Sequence, residues 1–123
     1  MIRVKKIKRH SDECKEALLA LRDSAELWSG KWRLYILAYL HIHEDETIFF
    51  KRMQRDLEGI SAKMLSKELK EMELNDLIIR SSSDSGPVTV SYALSEYGRT
   101  FIPVAEAMLN WGLKHRKKVK AAI

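Results

Sequence analysis

The segment from Gly59 to Ile78, GISAKMLSKELKEMELNDLI, constrains the fold most because its hydrophobic period changes part-way along. Leucines recur at helical spacing as far as Leu74, and from Asn75 onward the apolar residues follow one another as in a β-strand. Ser61 is a residue type that caps helix N-termini, and Gly59 favours a tight turn before it. The segment therefore predicts a turn, a helix that ends near Asn75, and a strand directly after it.

The residues before this segment predict three further helices and a short strand. A first helix is expected from Ser11 to about Leu27, and the stretch KWRLYILAYLHI is apolar on nearly every side, which is typical of a central helix. ETIFF is compatible with a short strand, and FKRMQRDLEG predicts a third helix. The helix that begins at Ser61 is then the fourth.

The residues after this segment predict a hairpin and a long helix. LIIRS and VTVSYAL alternate as strands, and SSDSGP between them is a turn. A long helix follows to about Lys118, and Pro103 leaves two possibilities for its start. The helix is either capped near Thr100 with Pro103 in its first turn, or it begins at Ser95 and is kinked by Pro103.

This order of elements predicts an α+β fold that is mostly α. Two short helices joined by a glycine turn and followed by a β-hairpin form a winged helix-turn-helix. A chain of 123 residues exposes a large fraction of its surface, so pairing with a second copy of the chain is also expected. The domain is expected to span residues 11–118, with a basic, flexible arm over 1–10 and a tail over 119–123.

The helix from Ser61 has an apolar side and a basic side. On a helical wheel, Leu65, Leu69 and Met72 lie opposite Lys63, Lys67 and Lys70. Lysines opposite leucines occur on most surface helices, but a helix placed between a turn and a wing is typical of DNA reading. The predicted DNA contacts are Ser61, Lys63, Met64, Ser66, Lys67 and Lys70, with Arg52, Arg80 and Ser83 in support.

The net charge of +5 comes from the two ends of the chain. Residues 1–10 and 114–123 together hold ten basic residues and no acid, which leaves 12 basic against 17 acidic residues between them. Such ends are usually solvated extensions, although they add attraction to phosphates that is independent of sequence.

The alternative to a DNA-binding function is a winged-helix module that docks a protein partner through the hairpin and the lysine side of the helix.

Other function classes find little support in the sequence. No catalytic or cofactor motif is present, so an enzyme and a bound cofactor are not expected, and His41 and His43 indicate a solvated loop rather than a metal site. No signal peptide or membrane span is expected, which indicates a cytoplasmic protein. The single Cys14 is either a small buried hydrophobe or a reactive thiol.

The chain resembles the HxlR-type regulators, bacterial winged-helix transcription factors related in fold to the MarR group. The resemblance rests on SGKWRLYIL (29–37), Phe50, LEGISAKMLSKELKEME (57–73), LI (77–78), PVTVSYALSEYG (87–98) and PVAEAMLNWG (103–112). It implies that the helix from Ser61 is the recognition helix, that the hairpin around Ser83 to Gly86 is the wing, and that two chains pair through their terminal helices. The implied interface residues are Leu18, Leu21, Phe101, Ala105, Met108, Leu109 and Trp111.

Two departures from the family pattern concern Cys14 and Arg52. Family members commonly carry a Cys-Pro close to the GKW motif, and in some of them the thiol senses oxidants or electrophiles. Here Cys14 is followed by Lys15 and lies further upstream, so the sensing role does not transfer directly from the family. Cys14 stays a candidate redox or electrophile sensor on its own chemistry, and a small-molecule signal is a further possibility for the regulator. The usual Glu-Leu pair is replaced by Arg52-Met53, which adds a cation that could meet the DNA backbone.

Overall fold

The computed structural model describes residues 2–82 and 89–122, which fall into two compact units at residues 1–31 and 32–123. The first unit contains a short 3₁₀ helix, Val4–Lys6, and helix α1, Asp12–Leu27. The second unit contains helices α2 to α6 and three strands. Their bounds are α2 Arg33–Ile42, β1 Ile48–Phe49, α3 Phe50–Asp56, α4 Ala62–Leu74, β2 Ile78–Ser82, β3 Val90–Leu94, α5 Glu96–Arg99 and α6 Ile102–Ala121.

In the first unit, α1 begins where the sequence predicts. Ser11 is the N-cap, and its Oγ accepts a hydrogen bond from the Cys14 backbone N–H at 3.0 Å. Asp12 and Glu13 occupy the first turn, where the helix dipole favours acids. The apolar side of α1 and the apolar residues of the arm line an open cavity of about 370 Å³, and residues 4–6 of the arm form a short helical turn.

The three strands of the second unit form one antiparallel sheet with the order β1-β3-β2. Arg80 of β2 and Ile48 of β1 both pair with Tyr92 of β3. The predicted hairpin is therefore present, and the short strand predicted in ETIFF extends the sheet on its β3 side. The tip of the hairpin, residues 83–88, lies outside the described residues.

The core of the second unit lies between its helices and the inner side of the sheet. α2, α3, α4, β1, β3 and the residue before β2 contribute fully buried apolar side chains, namely Ile36, Leu37, Ile48, Met53, Leu65, Leu69, Met72, Leu77 and Leu94. α2, predicted to be a central helix, buries Ile36, Leu37 and Leu40 in this core, whereas Tyr35, Ala38 and Ile42 on its other side are exposed in the single chain. These three residues line an open groove of about 460 Å³ between α2 and α6.

The C-terminal region forms two separate helices, and these decide between the two predicted starts of the long helix. Ser95 caps the short α5 by accepting a hydrogen bond from the Gly98 N–H at 2.8 Å. α6 then begins at Ile102 with Pro103 in its first turn, where proline costs no backbone hydrogen bond. α6 ends at Ala121, so it includes part of the predicted tail.

Candidate nucleic-acid interface

Helices α3 and α4 form the helix-turn-helix, and the turn between them depends on Gly59. Gly59 has a φ of +92°, a conformation that residues with a Cβ rarely adopt. The Trp32 ring lies against the turn, 3.8 Å from the position of a Cβ at Gly59. Ser61 then caps α4, because its Oγ accepts a hydrogen bond from the Met64 N–H at 3.0 Å. The predicted turn and cap are confirmed.

α4 presents two opposite sides, as its helical period predicts. Leu65, Leu69 and Met72 are buried, whereas the three lysines on the other side are exposed. We refer to Lys63, Lys67 and Lys70 as the lysine row. Within residues 2–82 and 89–122, no carboxylate forms an ion pair with any of them. The lysine row therefore leaves three ammonium groups available to an anionic partner.

The smaller predicted contacts flank the lysine row. Ser61, Met64 and Ser66 are all exposed, with Ser61 at the N-terminus of α4. The first turn contains no acidic residue and the last turn no basic residue, so the charges of α4 oppose its dipole. A helix that carries lysine at its positive end is less stable alone than with acid there, and it concentrates positive potential at the end that can approach a phosphate.

α4 is tied to α2 through Arg33, a contact that the sequence analysis missed. The Arg33 Nε donates to the Glu68 Oε2 at 2.8 Å, and the Arg33 Nη2 donates to the Glu71 Oε2. The Arg33 side chain is 13% exposed and the Glu68 side chain 11%. Glu68 lies next to Leu65 and Leu69 on the buried side of α4, and an acid at such a position requires a partner. That mismatch was the signal in the sequence, although the sequence does not identify the partner.

Arg52 lies on α3 and is already paired with acids. Its Nη1 lies 3.0 Å from the Glu46 Oε1, and its Nε lies 3.6 Å from the Asp56 Oδ2. The hydrogen bond with Glu46 raises the pKa of Arg52 and lowers the pKa of Glu46. The structure therefore engages Arg52 within its own unit, in contrast to the lysine row.

Asp56 joins this cluster to α2. The Tyr39 hydroxyl donates to the Asp56 Oδ2 at 2.6 Å, and this hydrogen bond is the main cause that lowers the pKa of the Asp56 carboxyl. Burial, with the same hydrogen bond in support, raises the pKa of Tyr39 to about 12. The neutral phenol and the charged carboxylate thus hold α2 and α3 together.

The wing residues are only partly described. Arg80 is exposed on β2, and this strand packs beside α4, so the structure brings Arg80 to the same part of the molecule as the lysine row. Ser83, predicted at the wing tip, lies outside the described residues. For Arg80, as for the lysine row, no ion pair with a described residue is present.

The predicted interface residues lie on α1 and around α6. Leu18 and Leu21 are exposed on α1, and Cys14, half-buried on the same side, lines the cavity beside the arm. On the second unit, Phe101 and Ala105 are half-buried, whereas the other three are exposed. Those three are Met108, Leu109 and Trp111.

The two histidines that were considered as metal ligands, His41 and His43, each lie near a glutamate. His43 Nδ1 lies 2.7 Å from the Glu46 Oε2, and His41 Nδ1 lies 3.4 Å from the Glu44 Oε1, which is too poorly aligned for a hydrogen bond. Among residues 2–82 and 89–122, no group of three or more His, Cys, Asp or Glu side chains could hold a metal ion. In the same part of the chain, no helix is long and apolar enough to cross a membrane.

Comparison with known proteins places this architecture in a family. The model of the HxlR-like helix-turn-helix family matches residues 27–120. An uncharacterised HTH-type transcriptional regulator of Halalkalibacterium halodurans is 37% identical over 90 residues, which are 73% of this chain and 78% of that protein.

Two solved structures share the fold. The redox regulator HypR in its reduced form matches with a TM-score of 0.75 and 25% identity, over 83% of this chain and 98% of HypR. A MarR-family regulator from Enterococcus faecalis V583 matches with a TM-score of 0.69 and 27% identity, over 94% of this chain and 98% of that one. The chain therefore belongs to the HxlR-like helix-turn-helix family and is a DNA-binding transcriptional regulator with a winged-helix fold.

Proposed function

We propose that this regulator acts as a homodimer on an inverted-repeat operator, with α4 of each protomer in a major groove. The observation that carries the proposal is the lysine row, three exposed ammonium groups that pair with no carboxylate of the described residues and lie opposite the side that anchors α4 in the core. In this arrangement, the lysines bind phosphates or guanine edges. Ala62 and Ser66 are small and exposed, which allows the backbone of α4 to approach the bases closely.

The wing has a supporting role in this proposal. In this proposal, Arg80 on β2 contacts phosphates that flank the groove, and Ser83, which the sequence predicts at the wing, assists it. Arg52 is better suited to hold α3 in place than to bind DNA, because Glu46 and Asp56 already compensate its charge. We therefore propose that its effect on DNA binding is indirect.

The terminal helices support the homodimer. α6 exposes several large apolar side chains, among them Met108, Leu109 and Trp111, and apolar surface of this extent is normally buried. Leu18 on α1 is 63% exposed and Trp111 on α6 is 66% exposed in the single chain. In a symmetric dimer, the two recognition helices enter grooves about one helical turn apart, ~34 Å.

Selection of genomic DNA fragments by the purified protein at about 150 mM salt tests this function, because such salt suppresses purely electrostatic binding. Enrichment of one inverted repeat is expected. Lys67→Ala is then expected to weaken binding and to reduce the salt dependence by about one charge, whereas Lys15→Ala on α1 removes the same charge as a matched control. Unchanged binding by both Lys63→Ala and Lys67→Ala would refute the proposed orientation of α4.

A redox signal is part of the proposal, because the structurally similar HypR is a redox regulator. Cys14 is the candidate thiol. Treatment with diamide is expected to oxidise two thiols, one from each protomer, to a disulfide, with diamide taking up the two electrons and two protons. Non-reducing electrophoresis measures the product, and a Cys14→Ser variant with the same DNA response to diamide as the natural chain would exclude the role.

A protein-docking role is the second candidate, and Leu74 is the observation that favours it. Leu74 is 74% exposed and follows Lys63, Lys67 and Lys70 on the same side of α4, so it could anchor an apolar partner surface. Leu74→Ala separates the two functions: DNA selection should be unchanged if the lysine row binds DNA. Loss of a protein partner at high salt would support docking.

A further inference from the structure

Arg33 contacts two successive turns of α4 from its place at the first residue of α2. Glu68 and Glu71 are one helical turn apart, and the guanidinium donates to both through different nitrogens. Arg33 is 35 and 38 residues away from these acids in the chain, so the contacts are purely tertiary. We call these three residues the clamp.

The position of the clamp on α4 decides what it can control. On a helical wheel, Glu68 and Glu71 lie between the buried leucine side and the lysine row. The apolar contacts of Leu65 and Leu69 are non-directional, whereas paired hydrogen bonds from a planar guanidinium have a defined orientation. The clamp therefore limits rotation of α4 about its own axis, which the apolar side alone would limit less.

A small rotation of α4 matters for base recognition. Turning a helix by ~20° moves an atom ~6 Å from its axis by ~2 Å, which is enough to break a hydrogen bond to a base edge. Phosphate contacts through flexible lysine side chains tolerate such a shift better, because each ammonium is a point charge on a long stem. An error in rotation should therefore reduce discrimination between sequences more than it reduces general attraction to DNA.

The clamp is placed where a purely stabilising role is a weak explanation. A cation in the first turn of α2 opposes the dipole of that helix, and the acid at Glu68 is buried at 9% exposure. Buried ion pairs often add little stability compared with apolar residues of the same size, and their best-attested use is to fix one register among several. Both features reduce the stability of the fold, and a role in orienting α4 explains their presence.

We infer that Arg33, with Glu68 and Glu71, is a positioning residue that sets the rotation of the recognition helix and thereby the sequence specificity of the regulator. This inference rests on the proposed reading of DNA by α4. Arg33 acts through α4 and needs no contact with DNA.

The test replaces the buried pair without changing the net charge. Arg33→Met combined with Glu68→Leu leaves no buried unpaired charge, and Glu71 is exposed enough to remain solvated. Arg22→Met combined with Glu26→Leu makes the same substitutions at an exposed pair on α1 and is the matched control. The measurement is the ratio of dissociation constants for the selected operator and a scrambled duplex, together with the salt dependence of each.

The clamp variant is expected to lose at least tenfold in this ratio with its salt dependence unchanged, because the lysine row is intact. The control is expected to keep the ratio of the natural chain. A ratio within twofold of the natural value in the folded clamp variant would overturn the inference. Arg33→Lys keeps the positive charge but lacks the planar guanidinium, and it is the second variant in case the double substitution does not fold. Its ratio of dissociation constants is expected to fall at least threefold. An unchanged ratio in this variant also overturns the inference.

A measurement without DNA separates this inference from the proposed function. Met72 lies on the buried side of α4, and its methyl resonance reports how uniquely that helix is packed. One sharp resonance is expected in the natural chain and in the control, with a broadened or split resonance in the clamp variant. If the natural chain shows no sequence preference, the proposed function fails, and an identical Met72 resonance in all three proteins would refute the positioning role itself.

Discussion

Lys63 is placed in the first turn of α4, where a positive charge opposes the helix dipole. We predict that Lys63→Glu stabilises the protein by about 0.3–1 kcal/mol and weakens binding to the operator. The gain arises because an acid complements the dipole and can pair with Lys67 four residues later. Chemical denaturation measures the stability, and titration with operator DNA measures the binding.

Lys67→Glu provides the control for this prediction. It reverses the same charge in the middle of α4, where the dipole has little effect, and places an acid beside Glu71. It should therefore weaken DNA binding without any gain in stability. If Lys63→Glu is no more stable than the natural chain, the terminal charge is not in conflict with the dipole as we describe.

Gly98 is required by the close approach of α5 to the carbonyl of Leu77. A Cβ on Gly98 would lie 2.1 Å from the Leu77 oxygen, which already accepts a hydrogen bond from the Ser95 N–H. Gly98→Ala is predicted to destabilise the fold by about 1–3 kcal/mol, since backbone must move to relieve the clash. Thermal unfolding measures the loss.

Gly112→Ala is the comparison, because Gly112 is within α6 and a Cβ there meets no atom of the described residues within 4 Å beyond its own stretch of helix. There the substitution should stabilise the helix by about 0.5–1 kcal/mol. Equal effects of the two alanines would show that the contact with Leu77 is not what selects glycine at position 98.

Helices α2 and α3 are joined by a hydrogen bond between two titratable side chains, Tyr39 and Asp56. The pKa of Tyr39 is raised from 10.0 to about 12 in the folded protein, so the contribution of this group to stability is complete below pH 10. Between pH 10 and 12 the unfolded chain loses its proton first, and the contribution is lost. We predict that unfolding free energy falls over this range and that Tyr39→Phe removes this part of the fall.

Tyr35→Phe is the control, since the Tyr35 side chain is exposed and the substitution leaves the contact between α2 and α3 intact. On the acid side, Asp56 and Glu46 have lowered pKa values, so their contribution is present above the ordinary carboxyl range and is lost as the pH falls below it. Identical alkaline limbs in Tyr39→Phe and the natural chain would contradict the assignment to Tyr39. Denaturation series at fixed pH values measure both limbs.

Local chemistry made most of the element boundaries predictable from the sequence. Ser11, Ser61 and Ser95 each cap a helix through their own Oγ, and such a cap depends only on residues within one turn. The tertiary contacts were not predictable in this way. Arg33 reaches Glu68 across 35 residues, and nothing local to either residue specifies the other.

In the candidate site as well, local features were predictable from the sequence and tertiary contacts were not. The period of α4 revealed which of its side chains are exposed, so the lysine row could be identified from the sequence. The pairing of Arg52 with Glu46 depends on how α3 packs after the loop that follows α2, so the sequence alone could not show that the charge of Arg52 is already compensated. Charge availability is a tertiary property, whereas side-chain direction on a helix is a local one.

In the molecule as a whole, the exposed side of α2 and the apolar side of α6 need a common explanation, because both leave apolar residues exposed beside the same groove. The sequence of α2 is apolar on nearly every side, yet the single chain leaves Tyr35 and Ile42 exposed beside Leu109 of α6. A second copy that covers this groove would account for the pattern, because apolar surface of this extent is normally buried. The exposed groove thus supports the proposed homodimer.

Leu109→Asp tests the homodimer directly. Leu109 lines the groove between α2 and α6 and is exposed in the single chain, so an aspartate should not disturb the fold of one protomer but should place an unpaired charge in the interface. We predict that sedimentation shows two 14.3 kDa chains for the natural protein and one for Leu109→Asp. The operator affinity of the monomer should fall strongly, because each half-site is then bound separately.

Asn110→Asp, at the next residue of α6, adds the same charge without removing an apolar side chain and is the matched control. Asn110 is exposed and is not among the residues that line the groove, so this variant should remain dimeric and keep its operator affinity. Circular dichroism should show the same helix content for all three proteins, which excludes unfolding as the cause. A dimeric Leu109→Asp would mean that the two copies pair elsewhere and that the groove between α2 and α6 has a different occupant.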